Sequence, residues 1–206
     1  MYRTGVKCIV QRSMDDNFTS SNFIKCIRNN CTSSSNVKLD DILIIPFDNL
    51  HEDMRILFSY FLYKAPNICS VHSTEIPIES NSIIFEQMMD NRHFKYCFFC
   101  NSNAKIQKEL ERGHIWGKEL CLKCKRYVCK RARREKNQPA ESELNCFLRH
   151  IRNSIAHGRV YYLYSKSGVH IMFEDFNDSG NLSARIICSK SDLENWKKIL
   201  ENFHNL

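Results

Sequence analysis

The run Phe147-Leu148-Arg149-His150-Ile151-Arg152-Asn153-Ser154-Ile155-Ala156-His157-Gly158-Arg159 decides how this chain is read. Together with Leu144, the residues Phe147, Leu148, Ile151 and Ile155 fall within about 100° of arc at 100° per residue, the stripe of a helix facing a core. Glu141 and Glu143 follow Pro139 and stand in the expected first turn, where the helix dipole favours acids. Gly158 stands where a helix ends on a left-handed C′ residue. Asn153 and His157 are four residues apart and share the opposite, polar side, bordered by Cys146, Arg149 and His150. Arg152 sits on a shoulder, about 140° from His157. One straight helix therefore does not aim Arg152 and His157 at one point. Arg152 bends round, the helix loosens at Gly158, or two copies of the helix share a site.

Beyond Gly158 the period changes to two. Residues 160–164, 169–173 and 182–188 read as strands, with turns at Ser167-Gly168 and at 177–180. The last element reads as a helix over 192–203, with Leu193, Trp196, Leu200 and Phe203 inward and a capping box at Ser191 and Glu194. Towards the N-terminus, 49–64 has helical spacing at Met54, Leu57, Phe58, Phe61 and Leu62. Residues 22–29 and 83–90 read as shorter helices. Residues 40–47 end in an Ile-Pro step that favours extended backbone.

The string 147–159 resembles the Arg-x4–6-His signature of the HEPN superfamily (higher eukaryotes and prokaryotes nucleotide-binding), most of all small prokaryotic, often plasmid-borne members. The context carries the resemblance: the match ends an amphipathic helix, Asn follows Arg, Gly follows His, and a β-hairpin and final helix come next. The specific likeness covers roughly 144–206. It implies a metal-independent endoribonuclease, a homodimer whose paired helices compose the site, a toxin or defence role, and control by an antitoxin or regulatory protein. Cleavage by the RNA's own 2′-hydroxyl needs a proton carrier and a cation on the phosphorane. His157 suits the first, since imidazole exchanges protons near neutrality. Arg152 suits the second, through paired donors to phosphate oxygens. Asn153 orients His157 or binds a phosphate oxygen. The alternative is a catalytically inactive HEPN module that binds RNA or answers to a partner.

The composition sets bounds on this reading. The chain has 206 residues, 43% of them hydrophobic, with 6 Gly and 4 Pro, which excludes loop-rich and collagen-like classes. The longest apolar run, 42–47, is too short to span a bilayer, and the first residues lack the apolar core of a signal peptide. A soluble, cytoplasmic protein that does not enter a membrane is expected. The net charge is +7. From Lys123 to Lys136, 8 of 14 residues are Lys or Arg. Lys123, Lys125, Arg126, Lys130, Arg131, Arg133 and Arg134 are thus candidate RNA-backbone contacts, against the plainer reading of a solvated helix face. Duplex DNA would suit the same charges, but no helix-turn-helix is evident.

Eleven Cys is a high count, and in a reducing compartment they are free thiols or metal ligands. Cys97-x2-Cys100 and Cys121-x2-Cys124 have the spacing of two knuckles that close a tetrahedral structural Zn²⁺ site. Catalytic zinc is disfavoured, because no His-x-Glu pairing precedes a Pro-Cys-x2-Cys. The expected fold is mainly α: a helical bundle over 1–95, a Cys-rich zinc-knuckle insert with its basic stretch over 96–136, and the signature helix, a small antiparallel hairpin and a terminal helix over 137–206.

Overall fold

The computed structural model describes residues 23–27, 42–46, 49–66, 77–90, 93–115, 125–132, 140–165 and 168–203. Along them run β1 (Phe23–Ile27), β2 (Ile42–Pro46), α1 (Glu52–Ser59), α2 (Asn81–Met89), β3 (Tyr96–Cys100), α3 (Asn103–Arg112), β4 (Arg126–Lys130), α4 (Glu143–Ala156), β5 (Val160–Ser165), β6 (Gly168–Phe176), β7 (Leu182–Ser189) and α5 (Lys190–Phe203). A π-helical turn, Tyr60–Lys64, continues α1.

The strands form one mixed sheet in the order β2-β1-β5-β6-β7-β4-β3. β5, β6 and β7 make an antiparallel meander at its centre. β1 joins β5 in parallel and β3 joins β4 in parallel, with α3 as the crossover of a βαβ unit. Helices α1, α2, α4 and α5 cover one face, where Phe58, Phe147, Phe173 and Trp196 are fully buried. Phe147 meets Tyr127 and Trp196 edge to face at centroid distances of 5.2 and 5.1 Å. On the other face α3 packs Ile106 and Leu110 against Cys100, Val128, Met172 and Ile187. The result is three layers. Among the described residues, no helix is long and apolar enough to cross a membrane.

This corrects the mainly α expectation in three places. Phe23–Ile27, expected as helix, is strand β1. A five-residue segment has no period long enough to separate the two states, and pairing with β2 and β5 decides it. Second, the zinc-knuckle insert is replaced by β3, α3 and β4, which extend the common sheet. A knuckle turns two thiolates towards one ion. Here β3 runs straight through Cys97 and Cys100, and residues three apart on a strand leave opposite faces. Cys97 is exposed, while Cys100 is buried beneath α3. Cys121 and Cys124 lie outside the described residues. Among the described residues, no group of three His, Cys, Asp or Glu side chains is placed to hold a metal ion. Third, the basic stretch is in part an internal strand. Arg126 on β4 is buried and donates to the Gly113 and His114 carbonyls, both at 2.9 Å.

The start of α5 is also shifted. Ser189 Oγ accepts the Asp192 N–H at 3.3 Å and Asp192 Oδ2 accepts the Ser189 N–H at 2.8 Å, a reciprocal capping box two residues before the expected one. Asp192 is fully buried, and its other oxygen accepts from Lys125 Nζ at 2.9 Å. One carboxylate thus caps α5 and ties it to the residue that leads into β4. Asp192→Ala removes both, and is expected to lower the unfolding free energy in urea by about 1–3 kcal/mol. An unchanged midpoint and slope would refute that role.

Candidate functional site

Both ends of α4 are fixed. Ser142 is the N-cap, its Oγ accepting the Asn145 N–H at 3.2 Å. Glu141 therefore lies before the helix, not in its first turn, and turns back to Arg149. At the far end Gly158 has φ +60°, Gly158 N–H bonds the Ile155 carbonyl at 3.1 Å and Arg159 N–H bonds the Ser154 carbonyl at 2.8 Å. These two bonds form a Schellman motif, and glycine supplies its left-handed residue without steric cost. His157 is thereby held at the C-cap, exposed, one residue past the last helical turn.

One turn earlier the polar side of α4 meets the sheet. His150 is 1% exposed and Asp175 on β6 is 3% exposed. His150 Nδ1 lies 2.7 Å from Asp175 Oδ2, and its Nε2 lies 2.9 Å from the Lys130 carbonyl. A ring carrying both protons serves both acceptors at once, whereas a neutral ring would leave Nε2 to accept from Arg149 Nη2, 3.2 Å away; the two shorter contacts favour the imidazolium. Burial works against that charge, but hydrogen bonds with Asp175 and with the Cys146 sulfur outweigh it and push the His150 pKa up to about 9. Asp175 is lowered: burial opposes its charge, and the bond from His150, with help from Asn153 and Arg149, prevails. Asn153 Nδ2 donates to the same Asp175 oxygen at 3.2 Å, and Arg149 Nη1 lies 3.8 Å from it. Arg149 also grips Glu141 through Nε at 3.0 Å and donates from Nη2 to the Lys130 carbonyl at 3.0 Å.

An open cleft lies over this group, lined among others by Lys130, Arg131, Arg149, Asn153, Asp175 and Ser183. Arg131 is anchored by Nε to the Glu141 carbonyl at 2.7 Å. Lys130 stands in the cleft lining beside it.

The expected site residues divide accordingly. Asn153 faces the cleft. Arg152 is half-buried beside it, with Nη1 3.4 Å from Asn153 Oδ1 and a buried Nε that has no hydrogen-bond partner among the described residues. His157 lies a turn beyond, outside the cleft lining. A single copy does not bring Arg152 and His157 to one point. Of the basic residues, Lys130 and Arg131 reach the cleft, while Lys125 and Arg126 are engaged with Asp192 and with backbone carbonyls. Lys123, Arg133 and Arg134 lie outside the described residues. Sequence reading did not find Asp175, Glu141 or the inward His150 as members of the group. The available signal was a pair of acids, Glu174-Asp175, inside a mostly apolar strand.

A family model described as HEPN pEK499 p136 matches residues 71–206, which include the β3–α3–β4 unit and everything after it. No curated protein and no solved structure is significantly similar to the chain.

The ring charge of His150 has a pH signature. A raised pKa contributes stability that is complete below about 6.5, the ordinary value, and is lost as pH rises through about 9. The lowered Asp175 contributes above its ordinary value, and that part is lost as pH falls through the depressed one. Cys146 acts in the sense opposite to His150. Burial resists its ionisation, yet bonds with Cys129 and His150 bring the thiol down to about 7, so its contribution grows with pH over part of the same range. Bulk stability therefore blurs the two, and the ring is best read directly. Nitrogen-15 NMR at pH 7.5 is expected to show His150 with both ring nitrogens protonated, losing a proton only near pH 9. A neutral ring at pH 7.5 would contradict the imidazolium.

Proposed function

The chain belongs to the HEPN pEK499 p136 family, and from that premise we propose that it is a metal-independent endoribonuclease acting through Arg152, Asn153 and His157. HEPN-type domains are often ribonucleases or toxin effectors. The observation that carries the reading is the state of Arg152. Among the described residues its guanidinium has no carboxylate partner, its buried Nε has no partner, and its one hydrogen bond is the long contact to Asn153. Such a cation is free to take a phosphate. The exposed His157 stands at the end of the same helix.

The chemistry balances as a transesterification. His157 takes the proton of the 2′-hydroxyl, and that oxygen attacks the adjacent phosphorus. Arg152 neutralises the oxygens of the phosphorane. The bond from phosphorus to the 5′-oxygen breaks, the leaving oxygen takes a proton from water, and protonated His157 returns its own proton to the solvent, which leaves a 2′,3′-cyclic phosphate and a 5′-hydroxyl. Residues five apart on a helix are separated by about 140° of rotation, so the site is composite. A homodimer with its α4 helices side by side gives each Arg152 the His157 of the other copy. Lys130 and Arg131, with Arg149, hold the RNA backbone in the adjoining cleft without reading sequence. The biological setting is a toxin or defence effector, restrained by an antitoxin or another regulatory protein.

The test is cleavage of a varied set of RNAs in EDTA, wild type beside His157→Ala. Wild-type cleavage with 2′,3′-cyclic phosphate ends is expected, and a loss of about 10²–10⁴-fold in the variant. No cleavage by folded wild type would replace the enzyme with an inactive RNA-binding or partner-regulated HEPN module.

A further inference from the structure

We propose that Asp175 is a positioning residue for the ribonuclease site: it fixes which way the Asn153 amide points, and thereby where the Arg152 guanidinium lies. The inference rests on the ribonuclease reading and adds a residue from outside α4.

An amide at this position has two orientations, and its neighbours choose between them. Asp175 Oδ2 accepts from Asn153 Nδ2 at 3.2 Å, so the amide nitrogen must face β6. The amide oxygen is then turned outward, where it accepts from Arg152 Nη1 at 3.4 Å. The carboxylate is itself immobile. Its acceptor oxygen is held by His150 at 2.7 Å, its backbone carbonyl accepts from Ser183 Oγ at 3.1 Å, and its residue is almost wholly buried. Rigidity therefore passes from β6 through Asp175 and Asn153 to a guanidinium that has no other described hydrogen bond. Misplacement of a group that binds a phosphorane costs rate more than ground-state binding.

Substitutions separate this role from a merely structural one. Asp175→Ala removes the acceptor. Asp175→Asn keeps one oxygen for Asn153 and for a neutral His150, whose Nε2 can then accept from Arg149 Nη2, already 3.2 Å away. Positioning predicts that Asp175→Ala lowers kcat roughly 10- to 100-fold with KM little changed, that Asp175→Asn restores most of it, and that Asp175→Ala adds nothing in an Asn153→Ala background. If Asp175→Ala does not fold, a polarity swap replaces it. Asn153→Asp sets two carboxylates against each other and should lose activity. Adding Asp175→Asn restores an amide–carboxylate bond in the reverse sense, and with it slow hydrogen exchange of the side-chain amide, now on β6, while activity stays low because the carboxylate at 153 then pairs with Arg152.

Wild type and His157→Ala are run beside these variants. If folded wild type does not cleave, the ribonuclease reading fails by itself. The positioning claim is then read from hydrogen exchange of the Asn153 side-chain amide, protected in wild type and fast once Asp175 cannot accept. Full kcat in folded Asp175→Ala, independent losses in the double variant, a fast-exchanging amide in the swap, or equal exchange with and without the carboxylate would each overturn it.

Discussion

The buried pair of His150 and Asp175 is the interaction on which the rest of this structure depends. It joins the polar side of α4 to the middle of the sheet at a place where water cannot solvate either charge. Two charges taken out of water are costly unless their remaining donors and acceptors are served. Here the service is close to complete. The second ring proton goes to the Lys130 carbonyl, which ends β4, and the carboxylate oxygen also takes the Asn153 amide. Arg149 adds a second tie from the same helix, to Glu141 and again to the Lys130 carbonyl. Three elements distant in sequence, β4, α4 and β6, are thereby held in one register by directional bonds. The apolar stripe of α4 could bury itself over a range of helix rotations. The ion pair selects one of them, and with it the direction in which Asn153 and Arg152 point.

Much of this was legible in the sequence where a long period was available. The apolar stripe of α4, its Gly158 stop and the three strands of the meander follow from spacing and turn residues alone. The outer strands did not, for physical reasons. β1, β3 and β4 are five residues each, too short for a period to separate strand from helix. In β4 the signal was further hidden by Arg126 and Lys130. Arg126 is inward because backbone carbonyls at the end of α3 receive its guanidinium, a compensation that only tertiary structure supplies. The Cys-x2-Cys pair at 97 and 100 was read as a knuckle and lies on a strand. Spacing suggested a shared ligand, while extended backbone sends the two thiols to opposite faces.

The candidate site repeats the pattern. Arg152, Asn153 and His157 are adjacent enough in the chain for their spacing to be read. Asp175 is 22 residues from Asn153 along the chain, on an element that no helical periodicity connects to α4. Its presence could be suspected only from charge inside an apolar strand. The helix geometry also explains why two of the candidate residues point in different directions. Arg152 is held towards the sheet side of α4 through Asn153, and the Schellman motif leaves His157 outside at the helix end.

The measurement that tests this account most directly is a double-mutant cycle on unfolding free energy at pH 7, with His150→Leu, Asp175→Ala and the two combined. The clamp predicts a loss of about 3–5 kcal/mol for each single change, since each leaves an uncompensated buried group. It predicts that the double variant loses little more than either single one, a coupling of about 3 kcal/mol. Two small losses that simply add would mean that the residues act independently, and that something other than this ion pair sets α4 against the sheet.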